Sequence, residues 1–527
     1  MKIIKSIEHL SIRSCNRGKL EKLEALSAAY HEYLQKVVDY YWENNLIPKK
    51  YVANLNFSTP LSKRYQQTCG LQAIAVIKSY WSKIQDEVKN NIYDEIKEGK
   101  ISDEDSKLYY FANKYQLWFE TESKTIELKK KKVFFTIPSN ILIHLTELVL
   151  NAKEEINKPQ IKNLTLNLDE KVAKLEKASC RSQEGKKSFD YFLRLSTLYI
   201  GKPILIPIKL HENARRLLND GELKRIVRLK KRDGEWFASL VIEKEVELRE
   251  LNFSAEAGSL PYGVSKEGVV LASHAKVGID VGVKALLVDS RGNYYGTECY
   301  SHLLRDIEKM TEYTRRRQKE EACISKKRGE QDFKLPSKSY LKKQAQLSSH
   351  RKNEIGRSIN ECIKKNSDKV FILEDLSLNG KTKSRPVNRI LNRSLLGYLK
   401  DKLRFRLMDK GLSYELVQPA YSSQECLRCG WVSRNNRKNQ EHFKCEICGY
   451  TNNADLNASL IILGRSQDNQ LNKITNHKSV KELLKKRFYD AHSLSSWLDL
   501  DSFLEMSGDE FREALKRQSA TLRLEIV

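Results

Sequence analysis

The sequence predicts a multidomain protein of mixed α+β and α/β class: a helical first part, a strand-rich middle, and an α/β domain interrupted by a four-cysteine zinc ribbon. Three observations predict it. Cysteines recur as C-x2-C-x15-C-x2-C from Cys426 to Cys448. Acidic residues follow short apolar runs in "VGIDVGVK" and "VFILEDL". From Lys19 to about residue 130, apolar residues return at three- and four-residue steps.

At 527 residues the chain has room for roughly three or four domains of ~100–200 residues each. Its 94 Lys and Arg outnumber 68 Asp and Glu, a net charge of +26. An excess of that size attracts polyanions, nucleic acid foremost, because each neutralised phosphate releases counterions. A basic soluble enzyme is the plainer reading of the same number. No apolar run approaches the ~18 residues of a membrane span, and "MKIIKSIEHLSIRSC" lacks a signal core. The expected location is the cytoplasm, with no membrane partner. Ten cysteines in that reducing compartment do not suggest a disulfide framework. Six are scattered (Cys15, Cys69, Cys180, Cys299, Cys323, Cys362) and read as buried small hydrophobes.

Taken in order, "KIIKSIEHLSIR" reads as a strand. Leu20, Leu23, Leu26, Tyr30, Leu34, Val37 and Tyr41 then make the apolar stripe of an amphipathic helix. Further helices follow up to "ELKKKKVFFTIP" (Glu127–Pro138), a boundary whose lysines read as a solvated charge run. Residues 200–245 read as strands, with "RDGE" the turn of a hairpin. Lys224, Arg225, Arg228, Lys230, Lys231 and Arg232 on its first strand suit nucleic-acid backbone, or a solvated edge strand. Near Ala275 comes "KVGIDVGVKALLVDSRGNYYG", strand, glycine turn and strand. A long basic helical stretch over 301–365 carries Arg315, Arg316 and Arg317, also candidate nucleic-acid contacts. Strand "KVFILEDLSL", helix "LLGYLKDKLRFRLMDKG" and strand "SYELVQPAY" lead into the cysteines. Beyond Arg465 lies a polar extension, read as a solvated helix or as a lid or dimer contact.

The spacing of Cys426, Cys429, Cys445 and Cys448 suits one structural zinc: two glycine-closed turns present four thiolates tetrahedrally, with no open position. Asp280 and Glu374 end strand-like runs, and Asp455 opens the apparent helix "ADLNASLIIL". Each acid alone is commonplace. Together, strand–Asp–turn–strand, later strand–Glu, later Asp on a C-terminal helix is the layout of an RNase H-like domain. Three adjacent carboxylates repel unless divalent cations neutralise them. Two Mg²⁺ about 4 Å apart would serve, and hard Mg²⁺ prefers oxygen ligands.

"GIDVGVKALLVDSRG", "FILEDLSL", "YSSQECLRCG", "FKCEICGYTNNADLNAS" and "GEWFASLVIE" resemble, in the same order, TnpB proteins of transposons and the miniature type V CRISPR effectors. The resemblance covers residues 200–465 well and the tail not at all. It implies a RuvC-type nuclease domain over 271–465 with the zinc ribbon (422–450) inserted. It also implies a β-rich wedge domain from 1–15 and 131–270, a helical recognition lobe at 16–130, and a C-terminal extension of unknown role at 466–527. Asp280, Glu374 and Asp455 would be the catalytic Mg²⁺ ligands. The partners implied are a guide RNA with a structured scaffold and target DNA, held through their backbones while base pairing chooses the sequence. The protein would act as monomer or homodimer on one RNA, cutting double-stranded DNA beside a short flanking motif. The chain is longer than typical TnpB proteins, and both a compact type V CRISPR effector, the slightly favoured reading, and a TnpB-like transposon nuclease stay open. Rival readings are an RNA-guided DNA-binding or repressor module with little cleavage, and a guide-independent transposase-like enzyme.

Overall fold

Leu23, Leu26, Tyr30, Leu34, Val37 and Tyr41 are all buried on one face of the first helix, α1 (Arg17–Glu43). The computed structural model describes residues 2–518 apart from 49–54, 56, 129–132, 162–163, 179–188, 233, 249–274, 330–332, 376–394, 438, 440, 475 and 497. Cys180 and Asp233 lie outside the described residues. The chain divides into Lys2–Glu245 and Val246–Val527.

In the first unit, α1 packs on α2 (Lys63–Lys97), which packs on α3 (Asp103–Lys114) and α4 (Ser139–Glu155). Asn16, Ser62 and Ser102 cap the first three, each side chain accepting a backbone N–H of the opening turn. Strands β2 (Lys124–Leu128) and β3 (Val133–Ile137) form a hairpin. A four-stranded sheet runs β1 (Lys2–Ser11), β9 (Glu235–Glu245), β8 (Glu222–Arg232), β4 (Leu166–Asp169). A three-stranded sheet joins β5 (Ala173–Lys177), β6 (Tyr191–Leu195) and β7 (Ile204–Ile208). The basic strand β8 is therefore interior to its sheet and not the edge strand its lysines suggested; Leu166–Asp169 pair along it.

The second unit is built on a five-stranded sheet ordered β12 (Tyr294–Tyr295), β11 (Leu287–Asp289), β10 (Lys276–Val281), β13 (Val370–Glu374), β14 (Tyr414–Val417). The first three strands are antiparallel, and β10, β13 and β14 run parallel. Val277, Ile279, Phe371 and Leu373 pack on α7 (Lys338–Lys365) and α8 (Leu396–Asp409). From the other face, Val370, Ile372 and Val417 meet Ile462 and Leu463 of α9 (Ala454–Arg465). Both faces of the parallel part are covered, which is why β13 is apolar without alternation. The long basic stretch is two helices, α6 (Glu298–Arg328) and α7, separated after Gly329, whose φ of 65° ends α6 in a left-handed cap. Cys323 is exposed and Cys299 half-buried, against the expectation of buried packing; Cys15, Cys69 and Cys362 are buried. No described helix is long and apolar enough to cross a membrane.

Over its described residues, the C-terminal extension is not the solvated helix expected. Short α10 (Asn469–Asn472) is followed by α11 (His477–Ala491), α12 (Leu500–Glu505) and α13 (Gly508–Gln518). Phe488, Phe503 and Phe511 close around Trp431 of the ribbon, with ring centroids 5.0, 6.0 and 5.2 Å away. Trp431 Nε1 donates to Glu446 at 2.8 Å, and Arg512 sits 3.6 Å from the same carboxylate. The polar surface of these helices masked a sparse apolar face whose partner lies elsewhere in the chain.

Two substitutions test this packing. A Cβ at Gly278 would meet Leu463 N at 2.7 Å and Leu463 Cβ at 2.9 Å, and would also clash with Ser459 O. Gly278→Ala is expected to destabilise the α9–β10 contact by about 1–3 kcal/mol, read as faster hydrogen exchange across 454–465. Phe511→Ala is expected to cost the ribbon's aromatic cap about 3–5 kcal/mol, read as a lower zinc affinity in chelator competition.

Candidate functional site

Strand register brings the first two acids together. Ile279 pairs with Leu373 in the parallel ladder, so Asp280 and Glu374 are the next residues at the C-terminal ends of neighbouring strands. Side chains two residues apart share a face. Asp280 therefore follows Gly278, and Glu374 follows Ile372, on the side covered by α9. Asp455 arrives from α9 itself. Asn453 caps that helix, accepting from Asp455 N at 3.0 Å and Leu456 N at 3.2 Å. A Cβ placed on Gly282, just past β10, would lie 3.7 Å from Asp455 Oδ2.

The electrostatics are those of crowded, buried acids. Burial raises the Asp280 carboxyl well above its ordinary range, Glu374 and Asp455 raise it further, and Arg437 opposes them. Burial also raises Glu374, against Ser422, Arg465 and Lys400. Asp455 is raised by burial and held back by Arg437. Specific contacts fix Glu374 and Asp455. Ser422 Oγ donates to Glu374 Oε1 at 2.5 Å, and Arg404 Nη2 to the Glu374 carbonyl at 3.2 Å. Arg437 Nη2 donates to Asp455 Oδ1 at 2.8 Å. Lys400 is buried, and its ammonium meets no acceptor among the described residues. The three carboxylates converge but do not close to the 4.8 Å mutual spacing that the cysteines reach. Their oxygens are the donor type that Mg²⁺ takes.

The four cysteine sulfurs lie within 4.8 Å of one another, with Cys426–Cys448 at 3.7 Å and Cys429–Cys445 at 3.6 Å. A tetrahedral zinc with Zn–S bonds of ~2.3 Å needs sulfurs about 3.8 Å apart, so the quartet fits the ion. Gly430 and Gly449 take the left-handed backbone that closes each turn, at φ 79° and 70°. The hairpin of β15 (His442–Lys444) and β16 (Thr451–Asn453) then runs into α9 with no intervening loop. The helix grips the ribbon in return. Asn457 Nδ2 donates to Glu425 O at 2.9 Å, and fully buried Arg465 pairs with Glu425 at 2.7 Å. The four-cysteine module thus stands directly before Asp455 and is tied to the helix that carries it.

The structure thus gathers Asp280, Glu374 and Asp455 at one sheet end and the four cysteines in one cluster. The basic candidates are more scattered. Lys224, Arg225 and Lys231 are paired with Glu243, Glu170 and Glu24 at 2.9, 3.1 and 2.6 Å, while Arg228 and Lys230 are exposed. Arg232 is exposed as well. Arg315 is exposed, Arg316 pairs with Glu312, and Arg317 is bound to Glu321 at 3.0 Å. Ser422, Arg437, Lys400 and Arg404 escaped the sequence reading. Each is an ordinary polar residue with no spacing signal, and only the fold sets it against an acid.

A family model described as Cas12f1-like, TNB domain matches residues 397–462. "Putative RNA-guided DNA endonuclease InsQ" of Escherichia coli (strain K12) is 25% identical over 260 residues, 44% of this chain and 54% of that protein. "CRISPR-associated endodeoxyribonuclease Cas12f1" of Sulfoacidibacillus thermotolerans is 39% identical over 61 residues, 12% of this chain and 14% of that protein. The chain thus spans about half the length of the first relative and a small part of the second. The solved Cas12f1–sgRNA–target DNA complex overlays with a TM-score of 0.39 at 17% identity, covering 88% of this chain and 99% of that one. An overlay that loose supports no detail.

Raised carboxyl pKa values mean that the folded protein holds more protons than the unfolded chain between the ordinary carboxylate range and the raised values. Without metal, stability therefore falls as pH climbs through that window. Asp280→Asn removes part of the repulsion. It is expected to raise the melting temperature of the metal-free protein at neutral pH by about 2 °C or more. The difference should shrink as pH falls and vanish below about pH 3, where the carboxylates of the unfolded chain are protonated as well.

Proposed function

We propose that this chain, a relative of the TnpB proteins and the miniature type V CRISPR effectors, is an RNA-guided DNA endonuclease with one RuvC-type carboxylate site. The observation that carries the reading is the convergence of Asp280, Glu374 and Asp455 from two parallel strands and a helix at one end of the sheet. The strand order, in chain sequence 3-2-1-4-5 with the second antiparallel to both its neighbours, supports an RNase H-like fold for this domain. So does the similarity to proteins named as RNA-guided or CRISPR-associated endonucleases.

In this reading Asp280, Glu374 and Asp455 would hold two Mg²⁺, and the ions would supply activation of a water and stabilisation of the leaving oxygen. The chain's own residues prepare that site. Burial and mutual repulsion make the acids demand positive charge, while Ser422 and Arg404 hold Glu374 at its side chain and its carbonyl. The sheet of β1, β4, β8 and β9 belongs to a wedge that grips the RNA scaffold. Helices α1–α3 belong to the recognition lobe for the guide–target heteroduplex. A net charge of +26 suits both tasks. Cleavage would occur beside a short flanking motif, in the cytoplasm of a prokaryote. The enzyme would act as a compact type V CRISPR effector or as a TnpB-like transposon nuclease; the TNB-domain match on 397–462 and the InsQ relative accord with either.

The test has two arms. Protein purified with its native locus should carry one discrete RNA, with a constant scaffold and a separate guide portion. With that RNA, Asp280→Ala should cut matched duplex DNA on the order of a thousandfold more slowly, about 4 kcal/mol of barrier, while binding the target as before. Random cellular RNA together with undiminished RNA-free cleavage would instead establish a guide-independent DNA enzyme.

A further inference from the structure

Asp455 meets a cation from its own chain. Arg437 Nη2 is 2.8 Å from Asp455 Oδ1, with the guanidinium side chain 24% exposed and the carboxylate side chain 8% exposed. The arginine is delivered by the ribbon. Its neighbour Asn436 is fully buried and donates to Gln424 O at 2.9 Å and Trp431 O at 3.0 Å, and accepts from Glu446 N at 3.0 Å. Arg437 itself bridges to Phe443 through the backbone. The four-cysteine scaffold thus fixes where its side chain starts, and that side chain is less buried than the carboxylate it meets. The second cation acting on Asp455, Lys284, is engaged with Glu441 at 2.8 Å.

An oxygen that accepts from a guanidinium offers less to a divalent cation, and two cations at one carboxylate repel. Phosphate, meanwhile, is a ligand that a guanidinium binds strongly and with matching geometry. We propose that Arg437 is an exchangeable counter-ion at Asp455, which a divalent cation must displace and which an incoming DNA phosphate draws away. Metal binding and DNA binding are then coupled, and the coupling is reciprocal: each tightens the other by the same factor. The ribbon so contributes a charge that keeps the acid site poor in metal until a strand arrives. This rests on the reading of Asp455 as a metal ligand.

The experiment is Mn²⁺ binding to the zinc-loaded full-length protein, by calorimetry and electron paramagnetic resonance, with and without a single-stranded oligodeoxynucleotide. Asp455→Asn identifies the relevant site as the binding it removes. Without DNA, Arg437→Gln should bind that Mn²⁺ at least about fivefold more tightly than the unaltered protein, with Arg437→Lys between them. Adding the oligonucleotide should tighten the unaltered protein by a similar factor and leave Arg437→Gln nearly unchanged. Equal or weaker Mn²⁺ binding in Arg437→Gln, with zinc content and melting temperature retained, would overturn the proposal and make Arg437 a plain orienting contact. Should Gln disturb the ribbon, Arg437→Lys decides by the same comparison. If Asp455→Asn removes no Mn²⁺ at all, the metal-site reading falls first and this proposal with it.

Discussion

The second unit depends on one close approach, helix α9 lying directly on strand β10. Gly278 makes it possible, because a single methyl group there would collide with the helix backbone at Ser459 and Leu463. From this contact follow the buried layer of Ile372, Val417, Ile462 and Leu463 and the arrival of Asp455 beside Gly282. An acid on a helix can join acids on strands only if the helix is close and cannot slide. The glycine provides the closeness, and the packed apolar layer prevents the sliding.

The ribbon supplies the remaining restraint. A small module of turns buries too little apolar surface to hold its shape alone, and a four-thiolate metal site offsets that deficit. Here the module is held twice more: by buried Arg465 and Asn457 of α9, and by the aromatic cluster that α11, α12 and α13 close over Trp431. The extension thus continues the ribbon's core. The ribbon in turn places Arg437 on Asp455.

Charge balance sets the character of the acid site. Three buried carboxylates in one place cost free energy, and the surroundings offset it only in part, through Arg437, Ser422, Arg465 and Lys400. Carboxyl pKa values left raised show that the compensation is incomplete: positive charge brought close to these acids would relieve the repulsion that burial created.

Local pattern alone was enough for much of this. The stripe from Leu23 to Tyr41, the strands ending in Asp280 and Glu374, and the paired C-x2-C turns were all legible, because periodicity, turn glycines and ligand spacing act over a few residues. The acids were legible as candidates only as a set. Contacts made at long range were not. Nothing near Ser422, Lys400 or Arg437 marks them, β8 gave no sign of lying inside its sheet, and the sparse apolar residues Phe488, Phe503 and Phe511 read as a solvated tail. The sequence by itself determined which segments become helix, strand and metal-binding turn. Only the tertiary structure decided which of them touch. Those choices depend on shape and charge matched between segments far apart in the chain, which no local pattern encodes.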